Sequence, residues 1–297
     1  MAQPQPNLWV FHHGALGDSV LIWPLLRAMG SLTLVSSWSK ARLAAKWIPG
    51  IEPADGESPE FSRLFTPSAA LEISDALRNR LSGIDRIVSF ISNGRDHWAE
   101  NLRTIRSDRQ LFCVTPRPPA EDWNQPIGLF HQRQLQDQHL AITPVMPPLR
   151  RNPDGPVLLH PGSGGRAKCW PAERFEHLAE YLHRIGRPYA IVIGPVERER
   201  MAAGRIEHWM HRYQVIAPPD FIELSEHIGR ASVFVGNDSG PTQLAAQLGV
   251  PTLALFGPTS PVIWSPVGPA VRVLAPPTPR EMDWLPVEMV IEAVARW

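Results

Sequence analysis

Three loops of this chain carry side chains able to do chemistry, each directly after a short apolar run. The first is His12-His13-Gly14-Ala15-Leu16-Gly17-Asp18, following residues 8–11. A carboxylate at the end of a strand, next to glycines that let the backbone turn sharply, can take a proton from a hydroxyl. The same Asp18 opens a helical pattern through Leu21, Leu25 and Met29, where an aspartate also serves as an N-cap accepting backbone N–H bonds. Residue type and position leave both roles open.

The second loop, His160 to Pro171, reads HPGSGGRAKCWP after the apolar run 157–159. Its three glycines and Ser163 can offer backbone N–H groups to a phosphate, and Lys168 adds a compact positive charge. Of the 29 basic residues only Lys40, Lys46 and Lys168 are lysines, which marks Lys168 out. The loop lacks the GxxxxGK[ST] pattern, and a solvated turn remains its plain alternative. The third loop, Gly236-Asn237-Asp238-Ser239-Gly240-Pro241-Thr242-Gln243, leads into a helix with proline in its first turn. The N–H groups around Ser239 and Gly240 would then point out of the amino end of that helix, where a diphosphate is electrostatically favoured. Asp238 can bond sugar hydroxyls there, or simply be a turn or cap residue.

The elements that must hold these loops follow from the hydrophobic pattern. In the first half, apolar runs at 8–11, 32–35, 86–91 and 111–114 alternate with helical patterns at 18–29, 68–81 and 96–106, the signature of a parallel sheet. In the second half, near-continuous apolar runs at 157–159, 189–193, 232–235 and 252–256 fit strands buried on both faces. The clearest helix spans 172–185, with Phe175, Leu178, Leu182 and Ile185 on one face and Gly186 past its end. Residues 143–156 contain five prolines in fourteen positions, which no helix or central strand tolerates; an interdomain linker is expected there. Residues 50–68, with Pro53, Gly56, Pro59 and Pro67, read as loop. Residues 286–297 read as a terminal amphipathic helix. The 297 residues thus suit two α/β lobes, each large enough for its own core, with ligands bound where the strands end.

Composition narrows the class of partner. Lys and Arg number 29, as do Asp and Glu, and no basic run marks a nucleic-acid or anionic-lipid patch. Cys113 and Cys169 are the only cysteines, too few for a disulfide framework or a zinc site with paired CxxC ligands, and suited to a reducing compartment. No stretch approaches the ~20 apolar residues of a membrane-spanning helix, and the start of the chain lacks a basic, then apolar leader; the chain reads as cytoplasmic. Arg95, His97, Arg103 and Arg106 either meet an acidic acceptor or form a solvated helix face. His12 and His13 read as packing residues at a strand end.

The three loops together resemble glycosyltransferase family nine, the heptosyltransferases of lipopolysaccharide core assembly. Residues 233–264, VFVGNDSGPTQLAAQLGVPTLALFGPTSPVIW, are similar to the family's donor-domain signature, and HPGSGGRAKCWP and GALGDSVLIWPLLRAM resemble its other two motifs in the expected order. The resemblance implies a GT-B fold, in which two Rossmann-like parallel-sheet α/β domains face an interdomain cleft. Residues 1–149 would form the acceptor-side domain and 150–297 the nucleotide-sugar donor domain, with the terminal helix packing back on the first. By the same resemblance Asp18 is the catalytic base. Lys168 binds donor phosphate, Asp238 the donor sugar, Ser163, Gly164, Ser239 and Gly240 the diphosphate, Glu197 the ribose, and Gln243 lies in the donor site.

The reaction so implied is an inverting, metal-independent transfer, with no cofactor, from a nucleotide-diphosphate sugar such as ADP-heptose to a glycan or lipid-linked acceptor. Peripheral contact with the inner membrane surface would be compatible with it, and nucleic acid is not an expected partner. The sequence departs from the resemblance at Gln243, where the family commonly has histidine. Glutamine donates through its amide but carries no proton at neutral pH. That departure keeps a catalytically silent sugar-nucleotide-binding or assembly protein in view beside the transferase, and the fold also hosts sugar-nucleotide epimerases.

Overall fold

The computed structural model describes residues 7–106, 110–117 and 123–297. The chain divides into two compact units, one made of the residues up to Ala15 with Ile22–Val145, the other of Leu16–Leu21 with Met146–Trp297. The division falls in the proline-rich stretch, where residues 140–156 form neither helix nor strand.

The first unit holds five parallel strands, β1 (Leu8–Phe11), β2 (Leu32–Ser36), β3 (Ile51–Asp55), β4 (Arg86–Ser89) and β5 (Gln110–Cys113), in the order β3-β2-β1-β4-β5. Its core packs Trp9, Phe11, Phe61, Ile87, Trp98 and Leu102 against one another. Two expectations are corrected here. Residues 50–68 are not loop: Ile51–Asp55 forms the edge strand β3, and Pro59–Arg63 a short helix. Pro53 sits in β3 because an edge strand spares one row of N–H groups from the ladder. The pattern at 18–29 is two helices, Leu16–Leu21 and Trp23–Met29; Pro24 has no N–H and crowds the carbonyl four residues before it, which breaks a continuous helix.

The second unit holds six parallel strands, β6 (Val157–His160), β7 (Tyr189–Val192), β8 (Val215–Ile216), β9 (Val233–Asn237), β10 (Thr252–Leu255) and β11 (Val271–Leu274), in the order β11-β10-β9-β6-β7-β8. The chain runs outward from β6 through β8, then returns to start again at β9, so the order reverses between β6 and β9. Such a switch point leaves a crevice at the strands' carboxyl ends. The helix Ala172–Arg184 buries Phe175, Leu178, Ala179 and Leu182, but Ile185 is 51% exposed rather than on that face. The helix stops at Arg184, and Gly186 takes the left-handed φ of 69° that ends it. Nearby, Trp170 is fully buried and satisfies its indole N–H on the Leu285 carbonyl at 2.8 Å.

The terminal helix Val287–Ala295 belongs to the second unit. It buries Val290, Ala293 and Val294 in the second unit's own core, against the helix Ala172–Arg184. Among the described residues no helix is long and apolar enough to cross a membrane.

Candidate functional site

The second unit's switch point brings the second and third loops together. Asn237, wholly buried at the end of β9, is the joint between them. Its Nδ2 donates to the Pro161 carbonyl at 2.8 Å, and its Oδ1 accepts from the Trp170 N–H at 2.9 Å. Ser163 Oγ donates to the backbone carbonyl of Asp238 at 2.7 Å. Above these bonds Lys168 Nζ lies 2.7 Å from Asp238 Oδ2, the lysine side chain 34% and the aspartate 10% exposed. Thr259, after β10, donates its hydroxyl to the same carboxylate oxygen at 2.8 Å. The Asp238 N–H donates to the Leu255 carbonyl at 3.0 Å, so the aspartate is fixed from both ends.

Ser239 is the N-cap of the helix Gly240–Gln247. Thr242 Oγ1 gives its only proton to the Asn237 carbonyl at 2.6 Å, so at the 3.0 Å contact between Ser239 Oγ and Thr242 Oγ1 the serine is the donor. That fixes the turn from which the first N–H groups of the helix leave, groups that have no carbonyl four residues back within the helix. Gly164 is exposed, and Arg166–Lys168 close a single 3₁₀ turn that carries Lys168 towards Asp238. None of Gly162, Gly164 and Gly165 has a positive φ; Gly162 alone of the three is needed for room, since a side chain there would stand 1.5 Å from Glu197 Oε1.

Asp18 lies in the helix Leu16–Leu21, which clusters with the second unit and packs on the helix Gly240–Gln247. That helix begins at Leu16, so Asp18 is its third residue and not its N-cap. Neither Gly14 nor Gly17 has a positive φ. What matters at Gly17 is proximity: a side chain on Gly240 would stand 2.9 Å from Leu16 Cβ and 3.0 Å from the Gly17 backbone nitrogen. Gly240 thus lets the amino ends of these helices approach, which brings the residue after Gly17, Asp18, towards the helix end that begins at Ser239.

Two further residues fall differently. Glu197 is 5% exposed and accepts from the Gly194 N–H at 2.7 Å. Its Oε1 lies 3.8 Å from His160 Nε2, and burial pushes the His160 pKa down despite that carboxylate. Glu197 has no described bond to Lys168 or Asp238. Gln243, 4% exposed, donates its amide N–H to the Trp264 carbonyl at 2.8 Å. Because that carbonyl can only accept, the amide orientation is fixed, and Gln243 Oε1 is left buried without a partner. Sequence reasoning missed Thr259 and Asn237 as parts of the cluster. The available signal was a hydroxyl residue just past the strand beside the Asp238 strand, and a buried-strand asparagine one residue before Asp238.

In the first unit, Arg95 is exposed, whereas the other three basic residues after β4 are engaged within their own neighbourhood. Arg103 donates to the Gly94 carbonyl at 2.8 Å, His97 meets Glu100 at 3.1 Å, and Arg106, only 4% exposed, donates to the Ile84 carbonyl at 2.6 Å. Arg106 is therefore neither a solvated face nor an acceptor contact. Among the described residues no group of three or more His, Cys, Asp or Glu side chains is placed to hold a metal ion.

Comparison with known proteins agrees with this architecture. The model of one protein family, described as Glycosyltransferase family 9 (heptosyltransferase), matches residues 120–283. Lipopolysaccharide heptosyltransferase 3 of Escherichia coli is 29% identical over 113 residues, covering 37% of this chain and 33% of that protein. Lipopolysaccharide heptosyltransferase 1 of Pseudomonas aeruginosa is 35% identical over 165 residues, covering 55% of this chain and 42% of that one. The matched segment thus spans less than half the length of either relative. Among solved structures, the glycosyl transferase family 9 protein of Veillonella parvula DSM 2008 superposes with a TM-score of 0.72 at 17% identity, covering 100% of this chain and 98% of that one. The E. coli heptosyltransferase WaaC with ADP superposes with a TM-score of 0.71 at 16% identity, covering 98% and 99%. At these identities the structural likeness speaks for the fold.

Proposed function

The chain belongs to glycosyltransferase family 9, and from that premise we propose that it is an inverting, metal-independent transferase moving a sugar, heptose from ADP-heptose, onto a lipopolysaccharide-core or other glycan acceptor. The observation that carries this reading is the joining of the β6 and β9 loops through Asn237, Ser163, Lys168 and Asp238. In the proposed complex the donor diphosphate lies against the N–H groups at Ser239 and Gly240, beside Ser163 and Gly164. Lys168 sits between that diphosphate and Asp238, and Asp238 takes the donor sugar's hydroxyls. Glu197 would have to leave its bond to Gly194 to reach a ribose, and so has the weakest claim among the proposed ligands.

The chemistry then follows. The acceptor hydroxyl loses its proton to the Asp18 carboxylate as its oxygen attacks the anomeric carbon from the face opposite the diphosphate. The anomeric C–O bond breaks, and its electron pair leaves on the nucleotide diphosphate. Lys168 and the helix amino end stabilise the charge that develops there.

The test is ADP release from ADP-heptose in the presence of a lipopolysaccharide-core preparation. Release should require the acceptor and fall by about 10²–10⁴-fold in Asp18→Asn, the range for losing a general base. Conversion of donor without acceptor would instead indicate epimerase chemistry. A second reading, a silent sugar-nucleotide binder, is favoured by one observation: Gln243 offers no titratable group and spends its amide N–H on Trp264. Transfer that disappears in Asp18→Asn would exclude it.

A further inference from the structure

All three tyrosines of the chain, Tyr181, Tyr189 and Tyr213, line one cavity of about 650 Å³ in the second unit. Its walls include the last turns of the helix Ala172–Arg184 and the start of the terminal helix. Tyr189 opens β7 and Tyr213 lies two residues before β8, so the cavity is at the amino ends of the strands, the opposite end of the sheet from the Lys168–Asp238 pair. The three rings are held before any ligand arrives. Tyr213, 9% exposed, donates its hydroxyl to Glu180 at 3.2 Å. Tyr189 is hydrogen-bonded through its hydroxyl to the Gln214 backbone, and the Arg184 guanidinium lies 5.6 Å from the centre of the Tyr181 ring.

The cavity has the size of a small-molecule site, roughly 300–1,000 Å³, and rings already fixed in place lower the ordering cost of binding. Tyr181 and Tyr189 are half-buried, which leaves part of each ring open. The polar lining carries both signs: Arg184 and Arg212, with His177 and His183, stand among Glu180 and Glu288. Arg212 lies 3.6 Å from Glu180, whereas Arg184 and Glu288 are exposed. A phosphate entering here meets carboxylates beside the guanidinium groups, so attraction and repulsion offset each other. A sugar hydroxyl donates and accepts at once and can use both kinds of group, while the C–H faces of the sugar ring fit against tyrosine rings.

We propose that this cavity is a binding site for an uncharged glycan, separate from the donor site, in which the tyrosine rings hold a sugar face and Arg184 and Glu288 bond its hydroxyls. The proposal does not rest on the transferase reading. The test is saturation-transfer NMR on the full chain with methyl glucoside, methyl galactoside and methyl mannoside as neutral probes. At least one should show transfer that drops several-fold in Tyr181→Leu, which keeps apolar bulk, and in Glu288→Ala, while Asp238→Ala, in the donor cluster, retains it. Glu288 is exposed, so its variant keeps the fold and decides the question where Tyr181→Leu lowers the melting temperature. An excess of inorganic phosphate should leave the signal in place. The proposal is overturned if none of the three glycosides shows transfer or if the transfer ignores Glu288→Ala. It is equally overturned if the transfer is lost in Asp238→Ala or displaced by phosphate. Because the readout needs neither nucleotide nor turnover, its failure leaves the donor assignment standing, and failure of donor binding leaves this one standing.

Discussion

Lys168 Nζ and Asp238 Oδ2 lie 2.7 Å apart, joining two loops whose residues are 70 positions apart in the chain. The pair gives each partner a second task. In the proposed complex a phosphate would draw Lys168 away from Asp238, whose Oδ2, still bonded by Thr259, would then accept from a sugar hydroxyl. Asp238→Ala should therefore leave the affinity for ADP unchanged or raised, because Lys168 no longer divides its charge. The same variant should lose about tenfold or more for ADP-heptose, the worth of one hydrogen bond to a charged group. Parallel calorimetric titrations of the two ligands check this, and an equal loss for both would contradict it.

The close approach of Gly17 and Gly240 makes an asymmetric prediction. A methyl group on Gly240 falls 2.9 Å from Leu16 Cβ, whereas one on Gly17 meets the Gly240 Cα at an ordinary 3.5 Å. Gly240→Ala should displace the helix that carries Asp18 and lower kcat by about 10²-fold, the cost of roughly 1 Å of misplacement. Gly17→Ala should stay within a few-fold of wild type. Steady-state kinetics on the two variants decides it.

Asn237→Ala tests the joint between the loops. It leaves the buried Trp170 N–H and Pro161 carbonyl without the partner they share, at about 1–3 kcal/mol for each group left unpaired. The midpoint of urea unfolding should fall accordingly. Asn237→Asp should recover little, since a carboxylate cannot donate to Pro161.

Acid should destabilise the fold through its buried histidines. Burial, and then the Lys40 charge, lowers the His12 pKa from 6.5 to about 3. The unfolded chain therefore binds the proton between pH 6.5 and about 3 while the native state does not, so stability is intact above 6.5 and declines as pH falls through that window. The slope from this one group reaches about 1.4 kcal/mol per pH unit. His12→Asn, which cannot titrate, should flatten that part of the stability profile measured by urea unfolding.

Much of this was legible in the sequence because buried parallel strands announce themselves as apolar runs, and the loops after β1, β6 and β9 carry glycine, serine and aspartate in plain view. What stayed hidden has physical causes. The strand Ile51–Asp55 was masked by Pro53, which an edge position tolerates. The helix end at Arg184 left Ile185 in solvent although its spacing fitted the buried face. Thr259 joins Asp238 only because β10 lies beside β9, a neighbour relation that spacing along the chain does not encode. Arg106 read as a surface cation because burial of an arginine against a distant backbone carbonyl has no local signature.

The central claim is that the joined loops of the second unit hold a nucleotide diphosphate. The measurement that tests it most directly is calorimetric titration of the purified protein with ADP, UDP, GDP and ADP-heptose, beside Lys168→Ala. The account predicts preferential binding of the ADP compounds, weakened about tenfold or more in Lys168→Ala through loss of a charged hydrogen bond. A well-folded protein that binds none of the four, or binds them without regard to Lys168, would contradict it.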